Sequence, residues 1–210
     1  MKQGVIFDLD GVLISTDEMH YKAWKSIADE LGIPFGHTEN NLLRGVSRMA
    51  SLDIILNLGN LVLSEKEKEA LAERKNNRYV ALLQSLTPDV VTAEVRDTLA
   101  LLHKRGIKTA VGSSSRNAKL ILRLTDLEKY FDAVSDGTNI SRSKPDPEVF
   151  LKGAEFLGLS PDDCAVTEDA VAGIDAANAG GFYSIGIGDA AAYEKADARI
   201  TSISELLDLV

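Results

Sequence analysis

Val5-Ile6-Phe7-Asp8-Leu9-Asp10-Gly11-Val12 is an apolar run that ends in two carboxylates two positions apart, with a glycine directly after them. Strand side chains alternate between faces, so Asp8 and Asp10 share a face if the strand continues, or are splayed by the turn that Gly11 permits. Crowded carboxylates repel, and a hard divalent cation such as Mg2+ with a phosphate ligand relieves that repulsion. The pattern predicts a magnesium and phosphate site; the alternative is an acidic turn after an edge strand.

Three further segments place polar, chemistry-bearing side chains at or after apolar runs. They are Ala165-Val166-Thr167-Glu168-Asp169, the hydroxyl-rich Gly112-Ser113-Ser114-Ser115-Arg116-Asn117, and Ser143-Lys144-Pro145-Asp146-Pro147. The hydroxyl-rich segment opens a predicted helix, where backbone N–H groups hold phosphate well. Ligands of open parallel sheets bind at the carboxyl ends of the strands, so we expect these segments to converge with the first one.

Strand and helix patterns alternate through the second half of the chain. Strands are predicted at residues 4–9, 107–112, 131–135, 163–167 and 182–187, and helices at 92–105, 117–125, 147–157 and 170–179. Such alternation is typical of βαβ units, so we predict an α/β fold with a parallel sheet.

Residues 15–87 interrupt this pattern with helices alone. A first helix is predicted to begin in Ser15-Thr16-Asp17-Glu18 and to run to Leu31, and Ser64-x-x-Glu67 has the form of a capping box. Residues 39–86 contain no convincing strand pattern. We therefore predict a core domain of residues 1–14 and 88–210, interrupted by an all-helical cap domain of residues 15–87.

The four segments together resemble the motifs of the haloacid dehalogenase superfamily of phosphotransferases, and the resemblance covers essentially the whole chain. The matching residues are Asp8, Asp10, Ser113, Lys144, Glu168 and Asp169. The resemblance implies a doubly wound, Rossmann-like core with an inserted cap. It also implies that Asp8 is a nucleophile and Asp10 a general acid–base, with Ser113 and Lys144 at the phosphoryl group. Mg2+ is then expected at Asp8, Asp10, Glu168 and Asp169.

The helical insertion resembles the cap of a narrower family, the β-phosphoglucomutases. The segments that carry this resemblance are His20-x-x-x-Trp24, Leu43-Arg44-Gly45-Val46-Ser47-Arg48 with Ser51, Arg74-Lys75-Asn76, and in the core Ser113-Ser114-Ser115-Arg116-Asn117. In that family the histidine and the Gly-Val-Ser-Arg loop govern cap closure and bind the distal phosphate, while the lysine and the serine-rich loop contact the sugar. Ile14-Ser15-Thr16 departs from the family's usual Thr-Asp-Thr, so a hinge acid is missing near Ser15.

The implied activity is the interconversion of β-D-glucose 1-phosphate and glucose 6-phosphate through an aspartyl-phosphate enzyme. Glucose 1,6-bisphosphate is the expected intermediate and activator. A mutase needs two phosphate sites, and Arg48 is the candidate for the distal one because its planar fork can grip phosphate bidentately. Arg44 and Arg74 are interpreted as solvated surface charges instead.

Two other functions stay open from the sequence. A phosphatase would share the chemistry and let water attack the phosphorylated Asp8, but it would not need the sugar-phosphate set Arg48, Lys75 and Ser115–Asn117. A catalytically inactive phosphate-binding module is the other, since fold alone does not imply function. The intact acids and Lys144 argue against it.

Bulk properties fit a small enzyme acting on a phosphorylated sugar. The chain has 210 residues and a formal charge of -9, which argues against nucleic acid and anionic membranes as partners. Its single cysteine, Cys164, lies in an apolar run and is predicted to be a buried, inert thiol. The sequence lacks a run of apolar residues long enough for a membrane span. We expect a cytoplasmic monomer.

Overall fold

The structure is a computed structural model that describes residues 1–43 and 45–210. The chain forms two compact units, one of residues 1–15 and 87–210 and one of residues 16–86. In chain order the elements are β1 (Gly4–Phe7), α1 (Asp17–Glu30), α2 (His37–Asn41), α3 (Arg48–Leu58), α4 (Glu65–Leu83), α5 (Ala93–Lys104), β2 (Lys108–Gly112), α6 (Ala118–Leu124), β3 (Ala133–Ser135), α7 (Glu148–Leu157), β4 (Cys164–Glu168), α8 (Val171–Ala179), β5 (Tyr183–Gly186) and β6 (Ala198–Arg199).

The larger unit is built on a parallel six-stranded sheet in the order β3-β2-β1-β4-β5-β6. This is the strand order of the Rossmann type, and it confirms the predicted α/β fold. The predicted strands all form. The edge strand β6 was missed because its two residues, Ala198 and Arg199, carry no apolar run.

Helices cover the sheet through apolar side chains that alternate along each strand. Ile6 of β1 and Val166 of β4 lie in one buried cluster with Phe150 of α7 and Ala176 of α8. Helix α5 packs against β2, and its buried side chains lie outside that cluster. Cys164 is fully buried in the cluster, which confirms the prediction of a buried thiol, and burial raises the pKa of that thiol to about 11.

The centre of the sheet fixes where a ligand can bind. Strand β1 pairs with β2 on one side and with β4 on the other, with Phe7 opposite both Val111 and Thr167. The strand order reverses at this point, and open α/β sheets bind ligands outside the carboxyl ends of the strands there. Asp8 follows β1 directly and Glu168 ends β4, so both acids lie at that edge.

The smaller unit is helical, and its described residues contain no strand. Helices α1 and α4 pack together around Trp24, Ile27 and Leu71. Ser64 and Glu67 form the predicted capping box of α4. No helix in the described part of the chain is both long and apolar enough to cross a membrane.

Helix α1 begins at Asp17, and its N-cap residue lacks the usual side-chain hydrogen bond to the first turn. Thr16 stands at the N-cap position and makes no capping hydrogen bond. Its hydroxyl instead lies 2.9 Å from the hydroxyl of Tyr79, and both side chains are buried. The threonine therefore joins the start of α1 to α4 within this unit.

Candidate active site

Both the backbone and the side chain of Asp8 are held by neighbouring residues. Its backbone N–H donates to the carbonyl of Thr167 at 2.9 Å, so the β1–β4 ladder continues up to the residue itself. Its side chain is 10% exposed and pairs with the ammonium of Lys144. That ammonium also donates to Oε2 of Glu168 at 2.7 Å. Lys144 therefore bridges the two acids across the central strands.

Glu168 is held by the two residues that follow it, before helix α8 begins. Its Oε1 accepts hydrogen bonds from the backbone N–H groups of Asp169 at 3.1 Å and Ala170 at 3.0 Å. A Cβ added to Gly173 of α8 would overlap the Glu168 carboxylate, so α8 can approach this acid only because residue 173 is glycine. The side chain is 1% exposed.

The turn after β1 brings the backbone against Asp169. Gly11 has φ +84°, a conformation that favours glycine, and a Cβ there would overlap the Asp169 carboxylate. The Gly11 N–H donates to the carbonyl of Ile14 at 2.8 Å, and Asp10 forms a bridge with Ile14. Asp10 is half-buried in this turn, directly beyond Asp8.

The acids form a cluster that fits a hard divalent cation. Asp8, Glu168 and Asp169 each offer a carboxylate oxygen, and these oxygens lie within 4.8 Å of one another. The ammonium of Lys144 pairs with Asp8 and Glu168, so ionising all three described acids would leave an excess of negative charge in a buried place. Oxygen donors of this kind suit Mg2+.

The titration of these groups reflects the same excess of charge. Burial, opposed by Lys144 and reinforced by Glu168, raises the pKa of Asp8 to about 7. Burial and then the charges of Asp8 and Glu168 raise the pKa of Asp169 to about 9. For Lys144, burial lowers the pKa, but the fields and hydrogen bonds of Asp8 and Glu168 outweigh it, so the net shift is upward and the ammonium stays charged.

The serine-rich segment folds at the end of β2, beside this cluster in the strand order. The Ser113 N–H donates to the carbonyl of Ser135, and its hydroxyl accepts from the Ser115 N–H at 3.1 Å. The Ser115 hydroxyl accepts from the Asn117 N–H at 3.2 Å. The buried hydroxyl of Ser114 has no hydrogen-bond partner among the described residues, and Arg116 is exposed. The segment thus presents hydroxyl groups at the carboxyl edge of the sheet.

In the helical unit, buried Lys75 pairs with half-buried His20. The Lys75 Nζ lies 2.9 Å from Nδ1 of His20 and above the rings of Trp24 and Tyr79, at 4.7 and 4.6 Å from their centroids. Burial, then the charges of Lys75 and Arg48, holds the pKa of His20 well below its usual value. Because a charged lysine can only donate, neutral His20 accepts through Nδ1.

Arg48 begins helix α3 after the Ser47 cap, whose hydroxyl accepts from the Ala50 N–H at 3.2 Å. Its guanidinium donates to Oδ1 of Asn76 at 2.8 Å. The preceding loop turns at Gly45, with φ +73°, and passes through half-buried Val46; Ser51 is buried in α3.

Two arginines of this region were predicted to be surface charges. The Arg74 side chain is 53% exposed and pairs with Glu30 at 3.3 Å, which confirms the prediction. Arg44 lies outside the described residues.

Sequence reasoning missed two acids at the edge of the sheet. Asp136 follows β3 as Asp8 follows β1, is 1% exposed, and accepts from the backbone and hydroxyl of Thr138. Its position after an apolar strand was the available signal. Glu148 was read only as part of a helix, yet its carboxylate binds the loop that carries Lys144.

Comparisons with known proteins agree with the motifs. The profile of the haloacid dehalogenase-like hydrolases matches residues 2–181. Over 206 residues the chain is 41% identical to a β-phosphoglucomutase of Bacillus subtilis, covering 97% of this chain and 91% of that protein. The structure of a β-phosphoglucomutase from Clostridium difficile superposes with a TM-score of 0.93 at 38% identity, covering 98% of this chain and 93% of that one.

Phosphatases are also among the relatives. A phosphorylated carbohydrates phosphatase of Thermotoga maritima is 32% identical to this chain, covering 87% of it and 83% of that protein. The resemblance predicted from the motifs is thereby confirmed at the level of the family.

Proposed function

The chain belongs to the haloacid dehalogenase-like hydrolase family, and we propose that within it the chain acts as a β-phosphoglucomutase, an Mg2+-dependent phosphomutase. It interconverts β-D-glucose 1-phosphate and glucose 6-phosphate, with β-glucose 1,6-bisphosphate as intermediate and activator. The observation that carries the proposal is the convergence of Asp8, Lys144, Glu168 and Asp169 at the reversal point of the sheet. The 41% identity with a mutase supports the choice of reaction.

Asp8 is the nucleophile of both half-reactions. Its carboxylate attacks the phosphorus of the bound sugar phosphate, a P–O bond to the sugar breaks, and an aspartyl phosphate forms. Asp10 protonates the departing sugar oxygen and later removes the proton from the sugar hydroxyl that attacks the aspartyl phosphate. Lys144 balances charge on the transferring group, and Ser113 with the Asn117 region donates hydrogen bonds to its oxygens.

The residues that would hold Mg2+ are Asp8, Glu168 and Asp169 through their carboxylates and Asp10 through its backbone carbonyl. When bound, the cation adds positive charge where the transferring phosphoryl group concentrates negative charge. The locked carboxylate of Glu168 and the raised pKa of Asp169 support this donor set, because a cation relieves the crowding of the acids.

A mutase must also hold the phosphate that is not reacting. As the resemblance implies, we assign the distal phosphate to His20 and Arg48, with the loop residues Gly45, Val46 and Ser47 and with Ser51. We assign the sugar to Lys75 and to the serine-rich residues Ser114, Ser115, Arg116 and Asn117. The missing hinge acid near Ser15 is a departure from the family's pattern. We further propose that the enzyme works as a cytoplasmic monomer.

The test is an assay of β- against α-glucose 1-phosphate, each with and without added glucose 1,6-bisphosphate and Mg2+. The proposal predicts glucose 6-phosphate from the β-anomer, with a rate that rises when the bisphosphate is supplied. Release of inorganic phosphate from both anomers without any glucose 6-phosphate would contradict it.

A sugar-phosphate phosphatase is the second candidate, favoured by the similarity to the Thermotoga maritima phosphatase. Arg48→Ala separates the two, because a distal phosphate contact is used only when the sugar presents its phosphate away from Asp8. The mutase proposal predicts a loss of about 2–4 kcal/mol of transition-state stabilisation for β-glucose 1-phosphate, with little change for p-nitrophenyl phosphate.

Arg74→Ala is the matched control, since that arginine is exposed and paired with Glu30. It should leave both activities unchanged. If Arg48→Ala lowered both activities in parallel, the phosphatase would become the better assignment.

A further inference from the structure

Lys144 lies in a loop that has few backbone hydrogen bonds of its own. The loop, residues 141–148, is the second part of the connection from β3 to α7 and ends at the first residue of α7. It contains Pro145 and Pro147, which have no N–H to donate. Within it, the Asp146 N–H donates to the carbonyl of Ser143 at 3.1 Å. Yet the loop must deliver a buried ammonium to two carboxylates. Hydrogen bonds involving side chains therefore have to hold the two ends of the loop together.

Glu148 supplies that closure from the far end of the loop. Its Oε2 accepts from the Arg142 N–H at 2.7 Å, the Ser141 hydroxyl at 2.8 Å and the Ser141 N–H at 3.0 Å. Its Oε1 lies 3.1 Å from the same Ser141 N–H. These hydrogen bonds, first those from the backbone of Ser141, lower the pKa of Glu148, so the carboxylate is ionised and the bonds are charge-assisted.

Asp146 reinforces the same closure. Its Oδ1 accepts from the Glu148 N–H at 3.0 Å, and its Oδ2 pairs with the Arg142 guanidinium at 3.0 Å. The two ends of the loop are thus joined by two carboxylates, one from each side of Pro147. Lys144 lies on the segment enclosed between the joined ends.

We propose that Glu148 is a positioning residue: by binding Ser141 and Arg142 it closes the loop and fixes the Lys144 ammonium between Asp8 and Glu168. The inference rests on the proposed function in taking Lys144 as the cation at the transferring phosphoryl group. A displacement of about 1 Å in such a group costs about 100-fold in rate.

A purely structural role for Glu148 is the competing explanation, since an acid in the first turn also stabilises a helix. The two explanations differ in where the effect appears. A structural role changes the melting temperature and leaves Lys144 protected in the folded protein. A positioning role exposes Lys144 to reagents while the protein remains folded.

The experiment compares wild type, Glu148→Gln, Glu148→Ala and Glu155→Ala with Mg2+ present. Glu155 is the matched control, an acid of the same helix whose side chain is 69% exposed. Each folded protein is treated briefly with acetic anhydride, and acetylation is followed by mass spectrometry on the tryptic peptide that begins at Ser143. Exposed Lys104 provides the internal reference. Hydrolysis of p-nitrophenyl phosphate gives kcat and KM separately.

We expect Lys144 to be protected in wild type and Glu155→Ala, and acetylated about 10-fold faster or more in Glu148→Ala, with Glu148→Gln between them. The kcat should fall about 10- to 100-fold in Glu148→Ala. Unchanged protection of Lys144 in folded Glu148→Ala, or equal acetylation in Glu155→Ala, would overturn the proposal.

The acetylation readout requires no turnover of a sugar phosphate. Failure of the mutase assignment would therefore leave the lysine result standing, and failure of the positioning role would leave the mutase assay unchanged. If Glu148→Ala does not fold, the isosteric Glu148→Gln still decides the outcome.

Discussion

At the scale of the residue, the surroundings of Asp8 decide whether its carboxylate is ionised. A nucleophilic carboxylate must be ionised, yet burial raises the pKa of Asp8 to about 7 even with the Lys144 ammonium in contact. One ammonium therefore does not balance the three clustered acids. A divalent cation among Asp8, Glu168 and Asp169 would supply the missing charge and favour the reactive form of Asp8.

Removing the charge of Asp8 and removing that of Asp10 should lower the enzymatic activity in different ways. Asp8→Asn deletes the proposed nucleophile and should abolish all phosphoryl transfer. Asp10→Asn keeps the backbone carbonyl and loses only proton transfer, so we expect a fall in kcat of about 10²- to 10⁴-fold. Steady-state assays with p-nitrophenyl phosphate and β-glucose 1-phosphate measure both, and near-normal turnover of either variant would contradict the assignment.

The raised pKa values of Asp8 and Asp169 predict how stability depends on pH. Both groups hold protons more tightly in the folded protein than in the unfolded chain, where their pKa is 3.8. The cost of ionising them is absent below that pH and grows as the pH rises toward about 7 for Asp8 and about 9 for Asp169. The metal-free protein should therefore lose stability across this window.

Mg2+ bound to the ionised acids, as proposed, should cancel that loss. We expect Mg2+ to raise the melting temperature by several degrees more at about pH 8.5 than at about pH 6. Asp169→Asn removes one of the two groups and should reduce the difference. Calorimetric scans measure the shift, and an equal effect of Mg2+ at both pH values would count against the metal site.

At the scale of elements, helix α8 contacts the site at a glycine, which has no side chain. Glycine is unfavourable in a helix by about 1 kcal/mol relative to alanine. Gly173 nevertheless lies inside α8, against the carboxylate of Glu168. A Cβ at this position would overlap Oε2 of Glu168, the oxygen that accepts from Lys144.

Gly173→Ala should therefore damage activity although it improves helix propensity. The added Cβ displaces the Glu168 carboxylate from Lys144, and we expect kcat for p-nitrophenyl phosphate to fall about 10- to 100-fold. Gly153→Ala in α7 is the control, because the nearest atoms to its Cβ would be apolar ones of Ile6 at 3.3 Å, whereas a Cβ at Gly173 would overlap the Glu168 carboxylate. Equal activity of the two variants would show that the spacing at Gly173 does not matter.

At the scale of the whole molecule, the sheet could be predicted because each central strand is a short apolar run that ends in polar residues. The acids after β1 and β4 were found for the same reason, since a strand end places its next residue at the edge of the sheet. The edge strand β6 gave no such signal, as its two residues pair with β5 without a buried run.

The contacts that hold the site were harder to predict. Glu148 acts on backbone N–H groups of Ser141 and Arg142, which any sequence supplies, so no residue pattern reveals the partnership. Lys75 was identified from a family resemblance, but its burial between two aromatic rings follows from helix packing. Such contacts depend on distances between elements that local sequence does not encode.

The central claim is that Asp8 carries the phosphoryl group and returns it to a sugar. Radiolabelled glucose 1,6-bisphosphate and Mg2+ are mixed with the protein, the reaction is quenched, and the peptide of residues 3–22 is examined; a parallel sample is first chased with unlabelled β-glucose 1-phosphate. We predict a hydroxylamine-labile acyl phosphate on Asp8 that the chase transfers to sugar bisphosphate. Label on Ser113 or a histidine, or its release mainly as inorganic phosphate during the chase, would contradict the account.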